Sequence, residues 1–175
     1  MRSKLILIGG TGFVGTSIQN LFKDEFNIVC SGSKIDITQT KTIIEYIYHH
    51  QPDYVINLAA MTTLKEVESN KDRAFNIMVQ GNANLISAMS NVKSIKSYLY
   101  ISSSEVYDHN YYPENYLIDE NSKTLNSSYY ANYKLEAEAQ CLKHEYNFSI
   151  SVARPFTHFG LYQKNKFGYI KIIDD

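Results

Sequence analysis

Leu5-Ile6-Leu7-Ile8-Gly9-Gly10-Thr11-Gly12-Phe13-Val14-Gly15 opens the chain, and its order decides the fold. A short apolar run breaks at Gly9, and glycine recurs at Gly12 and Gly15. An apolar helical pattern follows, with Val14, Ile18, Leu21 and Phe22 read as inward-facing over Phe13–Lys23. Strand, tight turn and helix in that order are the layout of a dinucleotide site. Gly9 lets the chain turn sharply off the strand, and Gly12 lets backbone approach a pyrophosphate with no Cβ in the way. Gly15 lets the helix pack closely against the strand. The helix N-terminus then presents unpaired N–H groups and the positive end of its dipole. The same glycines could serve turn geometry alone, but the strand before and the helix after favour the phosphate reading.

Outward from that turn, apolar runs alternate with helical patterns. Strands are predicted at Lys4–Ile8, Asn27–Cys30, Tyr54–Ala59, Ser97–Ser102 and Phe148–Ala153, with a very short edge strand near Lys34–Ile37. Helices are predicted at Thr38–His50, with Ile43, Ile44, Ile47 and Tyr48 on one side, at Arg73–Ser90 and at Ser128–Tyr146. A polar, Tyr-rich loop fills Asp108–Asn126. Repeated strand–helix–strand units imply right-handed crossovers, hence an α/β, doubly wound parallel sheet of Rossmann type.

Of the 175 residues, 44% are hydrophobic and 20% charged, with a net charge of −1, so one globular domain is the simplest reading. Near-neutral charge without Lys/Arg blocks argues against a nucleic-acid partner. No segment approaches the roughly 18 apolar residues of a membrane span, and the N-terminal apolar run is too short for a signal peptide. A cytoplasmic protein is expected, in which Cys30 and Cys141 are ordinary reduced thiols without metal spacing. No metal site is expected. His49, His50 and His144 read as solvated, and the charges from Glu66 to Arg73 read as a solvated helix start. No Gly-x-Ser-x-Gly elbow supports a serine hydrolase.

Parallel sheets bind ligands at the C-terminal ends of their strands. Those ends carry Asn57-Leu58-Ala59-Ala60 and Ser102-Ser103-Ser104-Glu105-Val106-Tyr107, and the late helix carries Tyr130-Ala131-Asn132-Tyr133-Lys134. Tyr130 and Lys134 stand four apart and share a helix face. A free phenol has a pKa of about 10 and is a poor base at neutral pH. A nearby ammonium and an oxidised nicotinamide both favour the phenolate. Tyr130 would then exchange a proton with a substrate hydroxyl or carbonyl, Ser103 would hydrogen-bond the same oxygen, and Lys134 would hold the nicotinamide ribose. Among 15 tyrosines such spacings arise by chance, and Tyr162 to Lys166 is a second match, read as a decoy because it lies on no convincing helix.

Assembled in this order, the motifs resemble the extended short-chain dehydrogenase/reductases, the family of nucleotide-sugar epimerases, dehydratases and ketoreductases. The resemblance adds Asp36-Ile37 and Arg154-Pro155 to the segments above and covers nearly the whole chain. It implies that Gly9, Thr11, Gly12, Phe13, Val14 and Gly15 cradle the dinucleotide, with Asp36 and Ile37 at the adenine. Leu58, Ala59 and Ala60 would run along pyrophosphate and ribose, and Phe156 would approach the nicotinamide. Ser103, Tyr130 and Lys134 would be the catalytic set, with Ser104, Glu105 and His158 facing the substrate. Tyr98 to Ser103 and Ala153 to Gly160 are similar to reductases of GDP-4-keto-6-deoxy sugars, so 4-keto reduction of a nucleotide-linked sugar is the expected activity. Glu105 leaves 4,6-dehydration or 4-epimerisation as alternatives.

Three departures qualify these expectations. At Ser31-Gly32-Ser33-Lys34 an acid usual in NAD-preferring relatives is missing, which leans toward NADP(H) over NAD(H). Met78 stands where a helix Asn is usual, with Asn76 near. Family members carry a second, smaller domain that grips the nucleotide sugar. Here residues 1–160 are expected to form the dinucleotide domain, and 161–175 the start of a substrate-binding segment that is largely absent. A homodimer is expected by analogy. A shortened chain that binds the dinucleotide without turnover, as a binding module or partner subunit, is the reading of another class.

Overall fold

The computed structural model describes residues 2–32, 35–143, 145–160 and 162–163. Five strands form one parallel sheet: β1 (Lys4–Ile8), β2 (Asn27–Ser31), β3 (Tyr54–Asn57), β4 (Ser97–Ile101) and β5 (Ser149–Ala153). Their spatial order is β2-β1-β3-β4-β5. The chain moves outward from β1 to β2 and then crosses back to β3, so strand order reverses beside β1. The expected doubly wound fold is therefore present, with its ligand crevice at the C-terminal ends of β1 and β3.

The helices follow as α1 (Phe13–Phe22), α2 (Thr40–His50), α3 (Leu64–Ser69), α4 (Lys71–Phe75), α5 (Gly81–Ser90) and α6 (Tyr129–Leu142). The main core joins Ile6, Ile8, Val55, Tyr98 and Tyr100 of the sheet to Ile43 and Ile47 of α2, Leu85 and Met89 of α5 and Cys141 of α6. A smaller cluster packs Val67, Ala74, Met78, Val79 and Tyr133 together.

Several sequence expectations change at this level. The long helix over Arg73–Ser90 is interrupted by a π-helical turn, Asn76–Gln80, between α4 and α5. The wider turn puts both Met78 and Val79 in the smaller cluster, 2% exposed each. Met78 is thus a core residue, and Asn76 is the exposed one. Ile35–Ile37 is a loop and not an edge strand, while Lys34 lies outside the described residues. Ile37 is buried against Gly81, where a Cβ would meet its side chain at 2.5 Å. Asn84 of α5 clamps the loop, donating to the Ile37 carbonyl at 3.0 Å and the Thr38 carbonyl at 3.3 Å. The apolar pattern there reflects loop packing, not a ladder.

Two faces were also read too wide. Leu21 and Phe22 are 73% and 39% exposed; α1 is held by Gly15 and Leu21 lies about 120° round the helix from it, whereas Phe22 shares that face but sits in the last turn. In α2 the buried row is Ile43 and Ile47, and Ile44 and Tyr48, one residue on, face out at 41% and 68%. His144, Lys166 and the segment 164–175 lie outside the described residues, as do Ser33 and Leu161. Among the described residues no helix is long and apolar enough to cross a membrane, and no cluster of His, Cys, Asp or Glu could hold a metal ion.

Candidate functional site

Gly9 takes φ = +73°, and a Cβ there would stand 2.9 Å from the Ala59 backbone nitrogen. The β1 and β3 ends can approach only through glycine at this point. A Cβ on Gly15 would meet the Gly10 carbonyl oxygen at 2.2 Å, so Gly15 lets α1 sit directly on the turn. Gly10, which the motif reading left as a spacer, is itself buried against Cys30 and Leu7. Gly12 differs: a Cβ there would make only an ordinary 3.6 Å contact. Packing does not demand Gly12, so its reason lies on the open side. It is also the N-cap of α1, with no side-chain cap and no acidic residue in the first turn. Thr11 and Gly12 are exposed and Phe13 and Val14 half-buried. This cradle of bare backbone with free amides at a helix start fits a pyrophosphate.

Ser31, expected to face a ribose 2′ substituent, is 2% exposed and its hydroxyl accepts from the Gly9 amide at 3.1 Å. It holds the turn from behind instead. Asn57 shapes the other wall: its side-chain oxygen accepts from the Ala59 amide at 3.1 Å, and Leu58 N–H reaches the Ile8 carbonyl at 2.8 Å. Between the walls lies a cleft of about 640 Å³, lined by Gly9, Thr11, Gly32, Asp36, Ile37 and Ala59 on one part and by Arg73, Asn76 and Ile77 on another. The cleft brings most of the expected adenosine-side residues together. Arg73, Asn76 and Ile77 were missed, since Arg73 read as part of a solvated charge run. The available signal was that α4 begins one short helix after the β3 end.

The second group sits over β4. Ser103 caps a 3₁₀ turn, Ser104–Val106, its hydroxyl accepting from Glu105 N–H at 3.2 Å. The Ser104 amide donates to the Pro155 carbonyl at 3.0 Å and the Ser102 amide to Ala153 at 2.7 Å, which ties the turn to the end of β5. Ser128 caps α6 by accepting from Ala131 N–H at 3.1 Å, and this sets the rotation that turns Tyr130 and Lys134 toward β4. Tyr130 and Ser103 interact through their hydroxyls, and the exposed Glu105 acts on the same phenol through its charge. Lys134 is 4% exposed, donates to the Ile101 carbonyl at 2.7 Å, and lies 5.8 Å from the Tyr130 ring centre and 5.3 Å from that of Tyr100.

Burial dominates the electrostatics. It pushes the Lys134 ammonium down to about 8, against the opposing pull of Glu138. It raises the Tyr130 phenol above its usual value, with Ser103 opposing and Glu105 adding to the rise. The expected lowering of Tyr130 by Lys134 is therefore not the balance the protein's own groups strike. The phenol is neutral near pH 7. One turn beyond Lys134, Glu138 is 3% exposed and chelates Arg154 at 2.6 and 3.0 Å. Arg154 also lies 5.1 Å from the Tyr107 ring centre and donates to the Glu120 carbonyl at 3.2 Å.

Past Arg154, the chain folds back toward the glycine turn. Phe156 is 54% exposed and stacks on Tyr107 at 6.2 Å, and His158 stacks on Phe13 at 5.7 Å with the rings 16° apart. The structure thus joins His158 to the start of α1.

With that geometry in place, comparisons become informative. A model of the NAD dependent epimerase/dehydratase family matches residues 5–174. A GDP-6-deoxy-D-mannose reductase of Pseudomonas aeruginosa is 30% identical over 173 residues, 95% of this chain and 56% of that protein. The structure of a Bacillus anthracis dTDP-4-dehydrorhamnose reductase in complex with NADP superposes with a TM-score of 0.85 at 25% identity, covering 99% of this chain and 59% of that one. RMD from Pseudomonas aeruginosa, complexed with NADPH, gives 0.81 at 29% identity, covering 94% of this chain and 57% of its own. The chain spans little more than half the length of these relatives.

Proposed function

Starting from a chain that belongs to the NAD dependent epimerase/dehydratase family, we propose that it binds NADP(H) in preference to NAD(H) and reduces C4 of a 4-keto nucleotide-linked sugar. The observation that carries this reading is the pairing of an uncapped, Cβ-free helix start with half-buried Ser103 after β4 meeting half-buried Tyr130 and buried Lys134 of α6. The first half fits a pyrophosphate and the second fits proton transfer to a carbonyl oxygen. The relatives solved with NADP or NADPH support the cofactor.

In this mechanism Gly9, Thr11, Gly12, Phe13, Val14 and Gly15 would hold the pyrophosphate at the start of α1. Asp36, Ile37, Leu58, Ala59 and Ala60 line the adenosine side, with Ser31 holding the turn behind them. Phe156 would border the nicotinamide. The bound dinucleotide supplies hydride. Ser103 and Tyr130 grip the keto oxygen, and the neutral Tyr130 donates its proton there. Lys134 faces the resulting phenolate, and its ammonium, tied to the Ile101 carbonyl, supports that charge. Ser104, Glu105 and His158 border the sugar. The protein acts as a homodimer.

Glu105 supports a second reading, 4,6-dehydration or 4-epimerisation, because its carboxylate reaches Tyr130 electrostatically from an exposed position. A third reading, dinucleotide binding without turnover, is an outcome of the same test. Steady-state NADPH oxidation with a 4-keto-6-deoxy nucleotide sugar separates them. Net NADPH consumption is expected. Product formed from the parent nucleotide hexose with oxidised cofactor, without net change in the cofactor, favours dehydration or epimerisation, and tight cofactor binding with no product from either sugar favours the module.

A further inference from the structure

Two opposite charges line the cleft beyond the glycine turn, and they do not pair with each other. Asp36 lies on the loop after β2, and Arg73 lies on α4 across the cleft. One Asp36 oxygen is occupied, accepting from the Thr38 amide at 2.9 Å and its hydroxyl at 2.8 Å. The other oxygen has no protein donor among the described residues. The Arg73 side chain is exposed to the cleft and makes no ion pair or hydrogen bond among the described residues. Lys71, two residues before it, bridges Glu68 at 3.6 Å and lies over the Tyr129 ring.

A cleft whose lining holds both an unpartnered carboxylate oxygen and an unpartnered guanidinium, beside apolar side chains, suits a flat ligand with two different aspects. Ile37, Ile77 and Ala59 supply the apolar walls. An adenine has a donor amino group for Asp36, and ring nitrogens and a π-face for a planar guanidinium. A phosphate in place of the base would leave that Asp36 oxygen without a donor, whereas the adenine amino group supplies one. We infer that Arg73 is a purine-recognition residue, contacting the adenine of the dinucleotide from the wall opposite Asp36. This rests on the cofactor reading above and adds to it a residue that discriminates the base and is indifferent to the ribose 2′ substituent.

The test is calorimetric binding of NADPH and NADH, with reduced nicotinamide mononucleotide followed by competition, to the protein and to Arg73→Ala. The change is at an exposed side chain, and a thermal melt checks that the fold is kept. Arg73→Ala should weaken NADPH and NADH by the same factor, roughly five- to tenfold, and leave the mononucleotide unchanged. Arg73→Lys, which keeps the charge but not the planar fork, should recover only part of the loss. Loss confined to NADPH would assign Arg73 to the 2′-phosphate and overturn the proposal. So would equal losses for all three ligands, or no loss at all. Failure of the unaltered protein to bind either dinucleotide would remove the cofactor reading and Arg73's role with it. A binding protein with an indifferent Arg73→Ala removes Arg73 alone.

Discussion

Tyr130 and Lys134 show how one buried helix face sets two protonation states. Both groups leave water, and burial penalises each in its charged form. The phenol is held neutral and the ammonium is brought down to about 8. If Tyr130 donates the proton, Tyr130→Phe should lower kcat by about 10²–10⁴-fold while the NADPH dissociation constant stays within about twofold. Turnover that survives the change would refute its role. Lys134 makes a second, thermodynamic prediction. Its folded pKa of about 8 lies below the ordinary 10.5, so between these values the unfolded chain binds the extra proton and stability rises with pH. Below about 8 the burial penalty is fully present. Urea unfolding of the protein and of Lys134→Met should therefore diverge in the protein's favour from pH 8 to 10.5, by at most about 3 kcal/mol. A stability difference that stays constant across that window would contradict the assignment.

At the scale of elements, the glycine turn divides packing from ligand binding. Gly15→Ala forces a Cβ to within 2.2 Å of the Gly10 carbonyl oxygen, so it should lower the melting temperature by several degrees. Gly12→Ala meets only a 3.6 Å contact, so it should leave stability within about 0.5 kcal/mol yet weaken NADPH at least tenfold. Equal stability loss in both variants, read by calorimetry, would mean that the turn is built for packing alone. The Glu138–Arg154 pair is the other element-level joint, fastening α6 to the end of β5. Removing one partner strands a buried charge, so Glu138→Gln should cost about 3 kcal/mol in urea unfolding. A cost under about 1 kcal/mol would show the pair to be solvated in practice.

These same elements explain what could be read in the chain beforehand. The β1 turn and α1 were legible because an apolar run, a glycine period and a helical period coincide within a few residues. Tyr130 and Lys134 were legible because their spacing is a helix period and Ser128 caps that helix. Ile37 was misread as strand because burial in a loop and burial in a ladder leave the same apolar residue. Leu21 was misplaced because the Gly15 contact, not average hydrophobicity, fixes how α1 is rotated. Arg73 was missed because its cleft is made by residues more than thirty positions apart in sequence, and no local period reports such a meeting.

For the whole molecule, the sheet order β2-β1-β3-β4-β5 brings the glycine turn, the β3 end and the Ser103 turn to one edge, so a single extended ligand can span them. Such a ligand ties both halves of that edge together and should stabilise the fold as a unit. At a hundredfold excess over its dissociation constant, NADPH should add about 2.7 kcal/mol, a rise of roughly 5–10 °C in melting temperature. No shift at saturating NADPH would argue that the edge does not act as one site. The most direct measurement is a crystal structure of the protein grown with NADPH. The account predicts the pyrophosphate within about 3 Å of the amides that open α1, with the Tyr130 hydroxyl and Lys134 beside the nicotinamide and its ribose. A dinucleotide bound elsewhere, or a nicotinamide remote from Tyr130, would contradict it.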